Sequence, residues 1–385
     1  MLNFEYHNPT HIVFGQGGIA RLDGLVPAQA RVLVLHGGAS AERHGTLAEV
    51  EAALGARTVR RFGGIEPNPS YETLMQAVAL IRREQLDFLL AVGGGSVIDG
   101  TKFIAAAVDY PGDPWQILET RGAQINRALP FGAVLTLPAT GSEMNDGAVI
   151  SHQALQAKRA FSHPLVFPRF SVLDPAKTFT LPPRQIANGV VDAFVHVVEQ
   201  YLTYPVNAPV QDRFAEGLLQ TLIEVGPQAL ATPQDAAVRA NLMWAATQAL
   251  NGLIGAGVPQ DWSTHMLGHE ITALYGLDHA QTLAVVLPAV LEVRREAKRD
   301  KLLQYAGRVW NLYAGGADRR IDTAIAQTRT FFESLGVPTR LRDYQIGPEA
   351  VPRLLAQLQA HGMTALGERE DMDLAVSERV LRASL

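Results

Sequence analysis

In the first half of the chain, short apolar runs alternate with stretches of helical spacing. Residues 31–36 (RVLVLH) run apolar into Gly37-Gly38, as a buried strand does before a tight turn. Residues 58–62, 88–92 (FLLAV), 133–137 (AVLTL) and 171–173 read as further strands. Between them, 46–54, 71–84 and 97–108 carry helical spacing. Strands separated by helices predict a parallel sheet covered on both faces. The pattern changes at Leu181-Pro182-Pro183, where paired prolines suit a first helical turn. Beyond it, 184–201, 209–224, 236–252, 263–275, 289–297, 299–312, 321–335 and 348–361 all read as helices. The expected organisation is an α/β domain over 1–180 and an all-helical domain over 181–385. Ligands would sit in the cleft between them, where pockets often form.

Composition narrows the function. The chain has 385 residues, a formal charge of −5 and no run of basic residues, so nucleic acid is not an expected partner. It has no cysteine, which excludes disulfides, thiolate nucleophiles and Cys-ligated metals. Any metal must be held by His, Asp or Glu. No apolar run reaches the ~18 residues that read as a membrane span. The N-terminal stretch MLNFEYHNPTHIVFGQGG lacks a basic n-region and an apolar h-region, which leaves the cytoplasm as the expected location.

Candidate chemistry concentrates in the helical half. Three of the eleven histidines fall in DWSTHMLGHEITALYGLDH: His265, His269 and His279. His265 and His269 are four apart and share a helix face. His279 lies beyond Gly276, which reads as that helix's end. Upstream, VDAFVH sets Asp192 and His196 at the same four-residue spacing inside an apolar run. A lone buried histidine is usually a satisfied core residue. A carboxylate and several imidazoles in apolar surroundings point instead to a divalent ion, because buried charge is costly unless it is paired or bound to metal.

The α/β half carries two glycine turns. Gly93-Gly94-Gly95-Ser96 follows a strand and opens a helix, where backbone N–H groups can face a phosphate. It is neither G-x-G-x-x-G nor a Walker A sequence. Gly37-Gly38-Ala39-Ser40 also follows a strand and lacks the acidic residue that would hold an adenosine ribose, which favours NADP over NAD.

These residues sit in longer motifs. HNPTHIVFGQGGI, FGGIEPNPSYETL, LAVGGGSVIDGTKFIA, LTLPATGSEMN, TLPPRQIANGVVDAFVHVVEQY, MWAATQALNGLIGAGVPQDWSTHMLGHE and GLDHAQTLAVVLP span nearly the whole chain. Through them the chain resembles the iron-containing (group III) alcohol dehydrogenases, most of all their NADPH-dependent aldehyde reductase and butanol dehydrogenase branch. The resemblance implies a metal held by Asp192, His196, His265 and His279, with His269 near the substrate but off the metal. It implies cofactor positions at Gly38, Ser40, Asn68, Gly94, Gly95, Ser96, Asp99, Thr136, Asn145 and Lys158. Asp99 and Lys158 would fall on the nicotinamide-ribose side. NAD-using relatives carry Asp where this chain has Gly38. The resemblance further implies a homodimer joined through N-terminal strands, for which residues 10–14 (THIVF) supply an edge.

The expected activity is reversible hydride transfer between NADP(H) and a primary alcohol or its aldehyde, at one Zn²⁺ or Fe²⁺. His269 and Asp99 are the expected catalytic groups, His269 as proton relay. A metallohydrolase is disfavoured: H-E-x-x-H fails at Met266 and H-x-x-E-H at Gly268. A dehydroquinate-synthase-like lyase shares the resembled fold and stands as the alternative, and a nucleotide-binding module without activity is a third reading.

Overall fold

The computed structural model describes residues Met1–Leu385. Six strands form one parallel sheet in the order β1-β8-β5-β4-β2-β3. They are β1 (His11–Phe14), β2 (Arg31–His36), β3 (Thr58–Phe62), β4 (Phe88–Gly94), β5 (Phe131–Leu137) and β8 (Phe170–Leu173). β6 (Gly147–His152) and β7 (Ala157–Ser162) make a separate antiparallel hairpin. The helices here are α1 (Leu22–Leu25), α2 (Ser40–Arg43), α3 (Thr46–Leu54), α4 (Tyr71–Glu84), α5 (Gly95–Ala107) and α6 (Gln116–Glu119).

Side-chain alternation explains the two covered faces. Leu33 and Leu35 of β2 turn to one side and join Leu74, Val78 and Ile81 of α4 with Ile98 and Phe103 of α5. Val32 and Val34 turn to the other side and join Leu47, Val50 and Leu54 of α3. All of these are fully or almost fully buried.

The remaining helices are α7 (Pro183–Tyr201), α8 (Pro209–Ala231), α9 (Ala236–Ala249), α10 (Ser263–Tyr275), α11 (His279–Val293), α12 (Arg299–Arg308), α13 (Ala317–Ser334), α14 (Ala350–Ala360) and α15 (Leu374–Ala383). α7 is buried on nearly every face and packs on α8 and α11, while α10 packs on α11 and α14. No helix is long and apolar enough to cross a membrane.

The chain divides into two compact units, one of His7–Leu181 with Pro233–Thr247, the other of Met1–Tyr6, Pro182–Thr232 and Gln248–Leu385. The ranges expected from sequence, 1–180 and 181–385, differ from these in two segments. α9 belongs with the sheet because its side-chain partners are there. Arg239 Nε donates to Thr178 Oγ1 at 2.9 Å, Thr247 Oγ1 donates to Glu143 Oε1 at 2.5 Å, and Trp244 meets Phe14 edge-on at 5.9 Å. Met1–Tyr6 belongs with the helices, where Leu2 N–H donates to Gly257 O at 2.9 Å.

Element boundaries move where proline or glycine misleads a periodic reading. α8 runs through Pro227 to Ala231, and α11 begins at His279 and runs through Pro288. The sequence reading stops the first at 224 and starts the second at 289, because an interior proline removes a helix hydrogen bond. α5 begins at Gly95, inside the glycine turn, rather than at Val97. The β6–β7 hairpin and α15 are absent from the sequence reading; the hairpin's second strand, AKRAFS, has no continuous apolar run to mark it, because Lys158 and Arg159 interrupt it.

Candidate metal centre and cofactor cradle

On α7, Asp192 and His196 lie one turn apart and both are buried, Asp192 at 3% exposure. α10 begins after Trp262, whose φ of 61° turns the chain into the helix, and Asp261 Oδ1 accepts from Ser263 N–H at 3.0 Å. Lys298 Nζ holds the other Asp261 oxygen at 2.9 Å. This start sets His265 and His269 on one buried face. α10 ends at Gly276 with φ 69°, the left-handed geometry that glycine adopts without strain. After that reversal His279 is the first residue of α11, and the Gln281 side chain accepts from Asp278 N–H at 3.1 Å to fix the start.

The four expected ligands therefore arrive from three helices of one unit. One donor atom each from Asp192, His265 and His279 lies within 4.8 Å of the others. His279 Nε2 and His196 Nε2 each stand 3.7 Å from Asp192 Oδ1. His196 stacks on His265 with ring centres 4.7 Å apart, so it flanks that trio. The His269 ring is 5.3 Å from His279 and 6.2 Å from His265. Burial pushes His196 well below the usual imidazole range, with His265 adding to the effect, so its ring is neutral. A neutral imidazole carries the lone pair a metal needs, and three imidazoles with one carboxylate are a donor set for Zn²⁺ or Fe²⁺. The residues fit a divalent ion.

The sequence reading missed Glu199. It follows Asp192 by seven residues and His196 by three, on the same stripe of α7. It is 2% exposed and its Oε2 meets His265 Nδ1. Its Oε1 accepts from Thr264 N–H at 2.7 Å. Burial, with Asp261 nearby, raises the Glu199 carboxyl well above the carboxylate range. A carboxyl group at Nδ1 orients the His265 ring and turns its Nε2 edge away from Glu199, the arrangement that supports a metal-ligating histidine. His196 has no such support: its Nδ1 is buried without a hydrogen-bond partner.

The expected cofactor positions lie in the other unit. Ser96 sits in the first turn of α5, half-buried. A Cβ on Gly94 would fall 2.9 Å from Leu137 Cβ, and one on Gly95 would fall 2.5 Å from Thr140, so local packing alone requires both glycines. Gly38 differs: a Cβ there would meet nothing within 4 Å. Gly38 and Ser40 are both exposed. Glu42, the nearest acid after that turn, faces Arg61 at 3.3 Å.

Asn68 and Lys158, remote in sequence, meet: Lys158 Nζ donates to Asn68 Oδ1 at 2.8 Å, and Lys158 is only 5% exposed. Thr136 lies half-buried near the end of β5. Asn145 is occupied in shaping its own loop: its Nδ2 donates to Gly141 O at 2.9 Å and its Oδ1 accepts from Gly147 N–H at 3.0 Å. Asp99 Oδ2 accepts from Val149 N–H at 2.9 Å, and its Oδ1 accepts from Ser142 Oγ. Burial raises the Asp99 carboxyl, against the opposing pull of Lys102. Lys102 and Ser142, which join these groups, are absent from the sequence reading. The available signal is a single charged residue in the apolar helix GTKFIAAA.

Comparison with known proteins identifies the family. The model of the iron-containing alcohol dehydrogenases matches residues 9–175, and that of the family's C-terminal domain matches residues 186–378. The chain belongs to the iron-containing alcohol dehydrogenase family and is an oxidoreductase. It is similar to the NADPH-dependent aldehyde reductase YqhD of Escherichia coli, 62% identical over 100% of both chains. It is 40% identical, over 100% of both chains, to a probable NADH-dependent butanol dehydrogenase of Bacillus subtilis. Among solved structures, the substrate- and cofactor-free E. coli aldehyde reductase covers 100% of both chains with a TM-score of 0.93 and 61% identity. An NADH-dependent butanol dehydrogenase of Thermotoga maritima superposes with a TM-score of 0.95 at 31% identity, over 100% of this chain and 99% of that one. These relatives carry oxidoreductase names, which disfavours the lyase alternative.

Proposed function

We propose that this protein reduces aldehydes to primary alcohols with NADPH, reversibly, at one divalent ion held by Asp192, His196, His265 and His279. The observation that carries the reading is the convergence of these side chains from three helices, with Asp192, His265 and His279 in one cluster. When bound, the ion supplies Lewis-acid polarisation of a carbonyl oxygen and NADPH supplies the hydride. Zn²⁺ and Fe²⁺ both suit the donor set, and the family's name favours iron.

The chain's own residues do the rest. Burial keeps His196 neutral and ready to ligate. Glu199 orients His265. His269, one turn from His265 and beside His279, supplies the proton that the reduced oxygen takes up. Gly94, Gly95 and Ser96 present the start of α5 to the pyrophosphate. Gly38 leaves room and places no carboxylate beside Ser40, which admits a 2′-phosphate and favours NADPH. Asn68 and Lys158 act as a hydrogen-bonded pair on the ribose of the nicotinamide. Asp99 enters as a positioning group, since protein donors already engage both its oxygens. Thr136 and Asn145 complete the wall.

The reading includes a cytoplasmic homodimer. β1 lies at the sheet edge, and the exposed pair Phe14–Trp244 adjoins it. A monomer by light scattering would remove the dimer.

The direct test follows NADPH absorbance with butanal, on protein stripped by chelator and then given Zn²⁺ or Fe²⁺, with NADH beside it. Aldehyde- and metal-dependent oxidation that is faster with NADPH is the expected result. Tight NADPH binding with no oxidation by any aldehyde would overturn the reading.

A further inference from the structure

Lys102 is 0% exposed, in the middle of α5. Burying an ammonium is costly unless its protons all find acceptors. Here they do. Nζ donates to Ser142 Oγ at 3.0 Å, to Asn145 Oδ1 at 2.7 Å and to Gly147 O at 2.7 Å. Ser142 and Asn145 lie on the loop between β5 and β6, and Gly147 is the first residue of β6. Ser142 Oγ passes the interaction on to Asp99. Asn145 Oδ1 also receives Gly147 N–H, so one side-chain oxygen ties the ammonium to the loop backbone. The same loop carries Thr140, whose side chain fills the space a Cβ on Gly95 would need. The loop is thus braced against the start of α5 at Gly95 and against its middle at Lys102. Charges facing the ammonium come from Asp99 on α5 and from Glu143 and Asp146 on the loop; burial still lowers it from 10.5 to about 8.

We propose that Lys102 is the positioning residue of the cofactor cradle: by holding Ser142, Asn145 and Gly147, and through Ser142 the Asp99 carboxylate, it sets the wall that receives the nicotinamide-ribose end of the dinucleotide. The inference rests on the NADPH reading of this site. Lys102 has no proton left for a ligand; it acts through the groups it fixes. Replacing it takes one donor from each of Asn145 Oδ1 and Gly147 O and a countercharge from Asp99, so the loop loosens next to the glycine turn. The adenosine end, which the resemblance places at Gly38 and Ser40 after β2, lies outside this network.

The test is a fluorescence titration of full-length Lys102→Met and wild-type protein with NADPH and with 2′,5′-ADP, which carries only the adenosine end. The expected result is an NADPH dissociation constant raised about tenfold, the loss of roughly one charged hydrogen-bond interaction, with 2′,5′-ADP binding unchanged. An unchanged NADPH constant would overturn the proposal. Equal weakening of both ligands would also overturn it, because it would mark a general loss of fold. If Lys102→Met does not accumulate as folded protein, Ser142→Ala is read the same way: it cuts the Lys102–Asp99 bridge with little volume change. A rise of about threefold for NADPH alone supports the proposal, and no rise overturns it. In a double-mutant cycle, Ser142→Ala adds little on the Lys102→Met background, since the bridge is already broken. A wild-type protein that binds 2′,5′-ADP and not NADPH would overturn the functional reading itself, and this inference with it.

Discussion

The proposed metal centre and the proposed cofactor cradle are built from different materials. The centre is made of side chains whose chemistry is visible in their identity: one carboxylate and three imidazoles, with Asp192, His196 and His265 buried where charge is costly. The cradle is made of backbone, glycine and small polar groups, and its shape depends on residues that touch no ligand. In the centre, changing a residue removes a donor atom. In the cradle, it moves a wall. Substitutions in the first should therefore act as near all-or-none losses of metal, and those in the second as graded changes in cofactor affinity and preference.

The largest effect belongs to Asp192→Ala, which removes the only carboxylate among the four expected ligands. Elemental analysis should find the ion gone, and turnover should fall by about a thousandfold or more, the loss of several kcal/mol of charge stabilisation. Retained metal would break the comparison at its stronger end. Glu199→Gln tests whether support from behind matters. Metal affinity by chelator competition should fall about 10- to 100-fold, the usual cost of losing such a partner, while the fold by circular dichroism stays intact. His269→Ala separates chemistry from ligation. Turnover should drop by about a hundredfold, in the range for a lost proton-transfer group, with bound metal near one per chain; loss of metal would make His269 a ligand.

In the cradle, Gly38→Asp adds a carboxylate where none stands. The ratio of NADPH to NADH efficiency should fall by about tenfold through like-charge repulsion of the 2′-phosphate. The smallest effect is on stability. Lys102 has a folded-state value near 8, below its ordinary 10.5. Between those values the folded protein has released a proton that the unfolded chain still holds, so stability gains a rising component with pH, at most ~1.4 kcal/mol per pH unit. Below about 8 both states are charged and the component is flat. Denaturant titrations across this window should show it in wild type and not in Lys102→Met.

The same contrast explains what the sequence discloses. Asp192 and His196 stand out as polar residues at helical spacing in an apolar run, and His265, His269 and His279 as three histidines within fifteen residues. The parallel sheet is legible for a similar reason: RVLVLH and FLLAV are too apolar for an exposed edge. Glu199 lies on the same stripe, yet a glutamate near a helix end is ordinarily solvated, and nothing local says that it faces His265. Lys102 looks like one cation in an Ala-rich helix; its three acceptors are some forty residues away in sequence. Gly94 and Gly95 carry the opposite lesson, since Leu137 and Thr140 require them whether or not a phosphate binds. The placement of α9 with the sheet is invisible to periodicity, because it is set by Arg239, Trp244 and Thr247 meeting distant partners.

The central claim is that one divalent ion at the Asp192–His196–His265–His279 set makes this chain an NADPH-dependent aldehyde reductase. The most direct measurement titrates Fe²⁺ or Zn²⁺ into chelator-stripped protein and reads aldehyde-dependent NADPH oxidation at each addition. The account predicts activity that rises from near zero and stops at one ion per chain, with no recovery in Asp192→Ala. Full activity in the stripped protein, or recovery in Asp192→Ala equal to wild type, would contradict it.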